Sequence, residues 1–217
     1  MDIDLRLLAI ADLSVVPRER LAGLVLAATR GGATSVQLRG KELASADLLA
    51  AADELRPLLA DHGVSLLVND RADVAALAAA AGVHLGEEDL DVGMARALLG
   101  SEAVIGRTAR TPEATRTAAA DGADYVGAGS VCAGGTKAGV PILGLAGLRM
   151  LIAASPLPVV AIGGIDADRA RECVAAGAAG VAVIGALFTG AKDAAEVEAR
   201  ARRLRAGVET GRAERQG

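Results

Sequence analysis

The stretch LLVNDRADVAALAAAAGVHLGEED, residues 66–89, decides the fold. Its first apolar run, 66–68, ends in the polar pair Asn69 and Asp70. An Ala-rich segment follows, and a second short run, 82–85, ends in Gly86, Glu87, Glu88 and Asp89. Strand, helix, strand is the pattern of a βαβ unit, whose two strands are parallel and joined by a right-handed crossover. Parallel strands finish at the same edge of a sheet, so this unit would bring Asp70 and Asp89 face to face. Two carboxylates there fit a Mg²⁺ ion, which takes one or two carboxylates and leaves its other positions to water and substrate phosphates. Each acid also precedes a helical segment, so helix capping accounts for either one equally well from local sequence. The basic residues expected at the same edge favour the ion.

The same alternation extends in both directions. Strands are expected over 5–11, closing on Asp12, and over 34–38, delivering Arg39, Gly40 and Lys41. Further strands are expected over 103–105, ending in Gly106, Arg107 and Thr108, and over 124–127, opening into the Gly-rich loop 128–139. The last two are 158–162, running into Gly163 and Gly164, and 180–184, ending at Ile184 and Gly185. Between them lie segments with helical spacing. One runs from Pro17 to Arg30 and is stopped by Gly31 and Gly32, and another is capped by Ser45, with Leu48, Leu49, Ala52, Leu55 and Leu59 on one face. Others cover 94–99, start at Thr111–Pro112 with proline in the first turn, cover 144–154, start at an Asp166 cap, and cover 194–204.

The pattern is eight strands alternating with eight helices. The strands are continuous apolar runs, as expected when both faces are covered. The fold class is therefore α/β, an eight-stranded βα (TIM) barrel in a single domain over 1–205, with 206–217 a polar tail that frays. An open doubly wound sheet fits less well, because no early G-x-G-x-x-G is present and the strand count is eight.

Composition narrows the function. Of 217 residues 52% are hydrophobic and only 1% aromatic, so Leu, Val, Ile and Ala must fill the core. Few aromatics also means no stacking platforms for single-stranded nucleic acid. The net charge is −4 and no basic tract stands out, which argues against binding a phosphate backbone. Cys132 and Cys173 show no metal spacing and are too few for a disulfide scaffold, so they read as small core fillers. Asp2, Asp4 and Arg6 interrupt any signal-peptide pattern, and the apolar stretch 72–85 contains Asp73 and is too short to span a membrane. The expectation is a soluble cytoplasmic protein acting on small molecules, without nucleic-acid or membrane partners.

In such a barrel the working residues stand at the C-terminal ends of strands. The candidates there are Gln37, Arg39, Lys41, Asn69, Asp70, Asp89, Thr108, Thr136, Lys137, Gly163, Gly164, Ile184 and Gly185. Gln37, Arg39 and Lys41 alternate, so they share one side of an extended chain. Pointed into a barrel they need an anion; pointed outward they are a solvated strand end. The loop carrying Thr136 and Lys137 reads as a phosphate-approaching glycine loop or as a plain lid. Glycines after the seventh and eighth strands mark a common phosphate site of this architecture, although tight turning uses glycine as well. His84, inside an apolar strand, reads as a buried, hydrogen-bonded structural histidine, and no Ser/His/Asp or Cys/His nucleophile set is present.

At this point four segments in order, VQLRGKE at 36–42, LLVNDRADVAALAAAAGVHLGEEDL at 66–90, DGADYVGAGSV at 121–131 and AIGGI at 161–165, resemble thiamine phosphate synthases. The likeness runs in register over 7–188. It implies a homo-oligomeric barrel enzyme that joins 4-amino-2-methyl-5-(diphosphooxymethyl)pyrimidine to hydroxyethylthiazole phosphate, giving thiamine phosphate and pyrophosphate. By that resemblance Gln37, Arg39 and Lys41 bind the pyrimidine diphosphate, Asn69 holds substrate, and Asp70 and Asp89 hold Mg²⁺. Thr108 and the loop Gly134, Gly135, Thr136, Lys137 also contact substrate, and Gly164, Ile184 and Gly185 cradle the thiazole phosphate.

Arg39 and Lys137 would act with Mg²⁺ on the departing pyrophosphate, and the thiazole nitrogen would be the nucleophile, so none is required of the protein. The chain departs from the family pattern at Gly134 (usually Thr), Gly40 (Glu), Gly185 (often Ser) and Arg110 (often His), which bears on affinity more than on reaction class. The rival readings are a thiazole tautomerase, which would need an acid–base His where Arg110 stands, a phosphate-binding barrel isomerase, which needs a base at a strand end, and a non-catalytic thiazole phosphate binder.

Overall fold

Eight short runs of small and branched apolar residues form the strands of a parallel sheet. They are β1 (Leu7–Asp12), β2 (Ser35–Arg39), β3 (Ser65–Asn69), β4 (Gly82–Leu85), β5 (Val104–Ala109), β6 (Tyr125–Gly129), β7 (Val159–Ile162) and β8 (Gly180–Val183). Neighbours in sequence are neighbours in space, and β8 pairs with β1 to close the barrel. The structure, a computed structural model, describes residues 3–133 and 141–216.

The connecting helices are α1 (Leu21–Arg30), α2 (Ser45–Ala60), α3 (Ala72–Leu77), α4 (Val92–Leu99), α5 (Pro112–Ala120), α6 (Gly144–Ala154) and α7 (Ala167–Ala175). A four-residue helix, α8 (Gly185–Phe188), follows β8 directly, and α9 (Ala194–Gln216) ends the described chain. The starts follow from local chemistry. Thr111 caps α5 ahead of Pro112 by accepting the Ala114 N–H, and Asp166 caps α7 by accepting the Arg169 N–H, whereas Ser45 is not the cap of α2 but its first residue, with Ala44 at the N-cap and no side-chain cap bond.

The two faces of each strand serve two cores. Residues such as Leu7, Val36, Val68, Leu85, Ile105, Val126, Ala161 and Val181 face outward under the helices. The alternate residues Leu8, Ile10, Leu67, Val104, Tyr125, Val160 and Ala182 meet inside the barrel with Leu5. That inner cluster fills the barrel's base, and the inward positions nearer the strand ends become polar: Gln37, Arg39, Asn69, His84 and Thr108. This gradient leaves a mouth at the C-terminal edge.

Three differences from the sequence reading have physical causes. First, the frayed tail expected over 206–217 is helical through Gln216, because α9 lies against α7. Val208 is fully buried there, and a Cβ on Gly211 would come within 2.3 Å of the Arg171 carbonyl oxygen. Glu209 with Arg6 and Glu214 with Arg171 tie the same turns to the body. Second, β5 runs to Ala109 rather than 105, since pairing with β6 continues as far as Ala109 opposite Ala128. Third, α8 interrupts the connection after β8, with Leu187 and Phe188 buried on one side. Among the described residues no helix is long and apolar enough to cross a membrane.

Candidate active site

The mouth of the barrel opens on a cavity of about 620 Å³. Gln37, Arg39, Lys41, Asn69, Asp70, Thr108, Gly164, Ile184 and Gly185, all expected from strand-end positions, line it. Asp89 stands behind Asp70 rather than on the wall. Gly134, Gly135, Thr136 and Lys137 lie outside the described residues.

The cationic side is built on β1 and β2. The register sets Asp12 beside Arg39, and the two side chains form an ion pair. Asp12 is 2% exposed, and its other contacts are the Ser14 N–H and hydroxyl, which donate to Oδ1 at 3.0 and 2.7 Å. A buried carboxylate thus holds the guanidinium at the mouth. Lys41, on the turn after β2, places Nζ 3.2 Å from Oδ2 of Asp70.

Neither acid caps a helix. The residue at the N-cap of α3 is Arg71, and α4 is capped by Asp91, which accepts the Gly93 N–H. Asp70 instead adopts φ 64°, a left-handed conformation that Asp tolerates better than most residues, with its N–H donated to the His84 carbonyl oxygen at 2.8 Å. Its carboxyl meets that of Asp89. Burial, then the Asp89 carboxyl, raise the pKa of Asp70, with Lys41 pulling the other way. For Asp89 burial acts upward but is outweighed by hydrogen bonds from Asp70 and the Gly86 N–H and by the fields of Lys41 and Arg107. The two carboxyls oppose each other's ionisation, a repulsion that a cation between them would relieve.

Among the described residues no three His, Cys, Asp or Glu converge. Two oxygen donors and nothing softer suit Mg²⁺ shared with a phosphate, not zinc.

The floor is a hydrogen-bonded row. His84 Nδ1 lies 3.0 Å from the Tyr125 hydroxyl, and Nε2 lies 3.1 Å from Thr108 Oγ1. Gln37 lowers the pKa of the same phenol, but burial outweighs it and pushes the Tyr125 pKa far above its ordinary value. Glycine makes room for this row. A Cβ on Gly106 would fall 2.2 Å from Tyr125 Cζ and 2.5 Å from His84 Nδ1. Gly106→Ala should therefore displace both rings, lower the thermal midpoint in line with an overpacking cost of about 1–3 kcal/mol, and reduce activity. A melting curve and turnover both matching the unchanged protein would contradict that packing.

At the ends of β7 and β8, Gly163, Gly164, Ile184 and Gly185 bring backbone to the wall. Arg169 donates to the Gly164 carbonyl oxygen at 2.7 Å and lines the same side. Arg110 bridges the rim: Nε donates to the Gly129 carbonyl oxygen at 3.0 Å and Nη1 pairs with Glu87. Arg107 fastens the same loop through the carbonyl oxygens of Glu87 and Leu90.

Sequence reasoning passed over Asp12, Tyr125 and Arg169, and it read His84 as hydrogen-bonded without naming its partners. Two signals were available. Asp12 ends an apolar strand level with Arg39, and Tyr125 is the one tyrosine of the chain, set in a strand interior.

Comparison with known proteins agrees with this geometry. The family model described as thiamine monophosphate synthase matches residues 7–187. A thiamine-phosphate synthase of Moorella thermoacetica is 48% identical over 202 residues, covering 89% of this chain and 94% of that protein. One from Albidiferax ferrireducens is 46% identical over 184 residues, covering 84% of each. The solved structure of a thiamine phosphate pyrophosphorylase from Pyrococcus furiosus superposes with a TM-score of 0.86 at 36% identity, covering 96% of this chain and 98% of that one. With the family model spanning every strand of the barrel, the chain belongs to the thiamine monophosphate synthase family and is a transferase of thiamine biosynthesis.

Proposed function

We propose that this enzyme catalyses the Mg²⁺-dependent condensation of 4-amino-2-methyl-5-(diphosphooxymethyl)pyrimidine with hydroxyethylthiazole phosphate, releasing pyrophosphate. The observation that carries the reading is that one cavity is lined by two sets of groups from different strands. Arg39, Lys41 and Asp70, which meets Asp89, follow β2 and β3, and the Gly164, Ile184 and Gly185 backbone follows β7 and β8. A diphosphate fits the first and a monophosphate the second.

Asp70 and Asp89 would hold Mg²⁺, whose chemistry is to neutralise charge on a departing diphosphate. Arg39 and Lys41 bind the diphosphate oxygens, and Asp12 keeps Arg39 aimed at them. These fixed charges stabilise the leaving group without reorganising at the moment of bond breaking. Lys137, by its place in the family pattern, adds a further cation, and by the same pattern Gly134, Gly135 and Thr136 contact substrate. Gln37, Asn69 and Thr108 orient the pyrimidine, and Gly164, Ile184 and Gly185 hold the thiazole phosphate. The electron-rich aminopyrimidine bears the positive charge that develops on its methylene, and the thiazole nitrogen closes the new bond. No protein nucleophile takes part.

The enzyme works on small molecules, and we place it in the cytoplasm as a homo-oligomer. Exposed Leu77 on α3 and Met94 and Leu98 on α4, two helices that pack together, support the second assignment. The deciding assay mixes both substrates with Mg²⁺ and looks for thiamine phosphate, with a chelator as control. Product that vanishes with the chelator is expected. Uptake of thiazole phosphate without any product would overturn the reading in favour of a non-catalytic binder.

A further inference from the structure

The end of β7 turns toward α7 through Gly163 and Gly164, at φ 98° and 63°. Glycine takes positive and negative φ about equally readily, so these two residues do not by themselves fix which way their peptides face. Hydrogen bonds from the segment after β6 do. The Ile162 carbonyl oxygen accepts the Val131 N–H at 2.9 Å, and the Gly163 carbonyl oxygen accepts the Cys132 N–H at 3.0 Å. The next rung breaks this pattern. Gly164 packs so closely that a Cβ on it would fall 2.3 Å from the Ala133 carbonyl oxygen. Its own carbonyl oxygen accepts from Arg169 Nη1 at 2.7 Å, and the same nitrogen lies 3.5 Å from the Ala133 carbonyl oxygen. A guanidinium, which only donates, thus stands between two carbonyls that cannot bond to each other.

Arg169 is held in place for this. It is the third residue of α7, the Asp166 cap accepts its N–H, and it lines the cavity together with Gly164 and Ile165. A peptide is planar and trans, so its N–H points opposite to its C=O. Holding the Gly164 carbonyl therefore also sets the direction of the Ile165 N–H. Among the described residues neither the Gly164 nor the Ile165 N–H donates to a backbone carbonyl. Such N–H groups attract a phosphate, and a carbonyl flipped into their place repels it.

We propose that Arg169 is a positioning residue that fixes the Gly164–Ile165 peptide through its 2.7 Å bond and so keeps the glycine turn after β7 in its phosphate-accepting form. This inference rests on the thiazole phosphate reading above and adds the side chain that preorganises that site.

The test measures the KM of each substrate on the full chain, with Mg²⁺ and the other substrate saturating, for the unchanged protein, Arg169→Ala and Arg169→Lys. The Arg169 side chain is 43% exposed, so both variants are expected to fold, and melting curves check this. Arg169→Ala should raise the KM of hydroxyethylthiazole phosphate by about 10–10²-fold, the scale of one hydrogen bond made by a charged group. The KM of the pyrimidine diphosphate, and kcat at saturation, should stay within about threefold. Arg169→Lys keeps a donor of similar reach and should recover most of the thiazole phosphate KM. In a crystal of free Arg169→Ala, the Gly164 carbonyl should have left its present direction.

Equal rises in both KM values with an earlier melt would show a merely structural role and overturn the proposal. So would an unchanged thiazole phosphate KM in Arg169→Ala, or a folded Arg169→Lys no better than the Ala variant. An unmoved turn beside a raised KM would make Arg169 a direct ligand of the phosphate, which also overturns it. The thiazole phosphate reading fails separately: the unchanged protein would then make no thiamine phosphate from the two substrates.

Discussion

Arg39→Ala is expected to cost both activity and stability, by separable routes. The activity loss comes from removing a fixed cation at the diphosphate site. Loss of one preorganised donor to developing charge typically lowers kcat by about 10²–10³-fold. The stability loss comes from Asp12. Its carboxylate is 2% exposed and is left with only the two Ser14 donors once the guanidinium is gone. Breaking a buried pair from one side costs about 3–5 kcal/mol, a large share of the roughly 5–15 kcal/mol that holds a domain folded. For a chain of this length that lowers the thermal midpoint by about 10 °C. Adding Asp12→Ala to Arg39→Ala should restore most of the midpoint and none of the turnover. An Arg39→Ala protein that melts like the unchanged one would show that the pair contributes little. A double variant that regains activity would remove Arg39 from the reaction.

Asp70→Asn should behave the opposite way, losing function without losing fold. Asparagine suits the position because the backbone at φ 64° admits Asn readily and strains Ala. The pKa of Asp70 is raised by burial and by Asp89, so its ionised form is less favourable in the folded protein than in the unfolded chain. The sign follows: above the ordinary carboxylate range, ionised Asp70 subtracts from stability, and a neutral amide does not. Without Mg²⁺ the Asn variant should therefore melt no earlier than the unchanged protein. With millimolar Mg²⁺ and pyrophosphate the unchanged protein should gain midpoint and the variant much less, because a ligand stabilises only the state that binds it. Turnover should fall by about 10³-fold or more, as several kcal/mol of charge neutralisation is lost. Asp89→Asn should match it in turnover. Equal Mg²⁺ shifts and equal turnover in both variants and the unchanged protein would dissolve the metal assignment.

The barrel was legible because its signals are local and repeated. Each apolar run is short and continuous, and each ends at a glycine or a charged residue, as 66–70 and 82–89 do. Strand ends then place Gln37, Arg39, Asn69 and Thr108 on the cavity with no further information. What could not be read was what depends on a second strand or on packing. Asp12 looks like an ordinary strand terminus until β2 sets Arg39 beside it. His84 looks like a core histidine until Gly106 and Gly127 on the next two strands make space for its ring partners. The last turns of α9 look like a polar tail because only Val208 and Gly211 mark the buried stripe, and one of them has no side chain.

Those same last turns decide how the enzyme can be handled. Arg215 donates to the Gly177 carbonyl oxygen in the loop entering β8, and Glu209 reaches Arg6 just ahead of β1. The last described turns of α9 are thus anchored under the barrel, on the side away from the rim through which both substrates must pass. A resin, electrode or carrier protein attached to an exposed residue of those turns would leave that entrance unobstructed. Coupling through the rim loop that Arg107 and Arg110 fasten would block it.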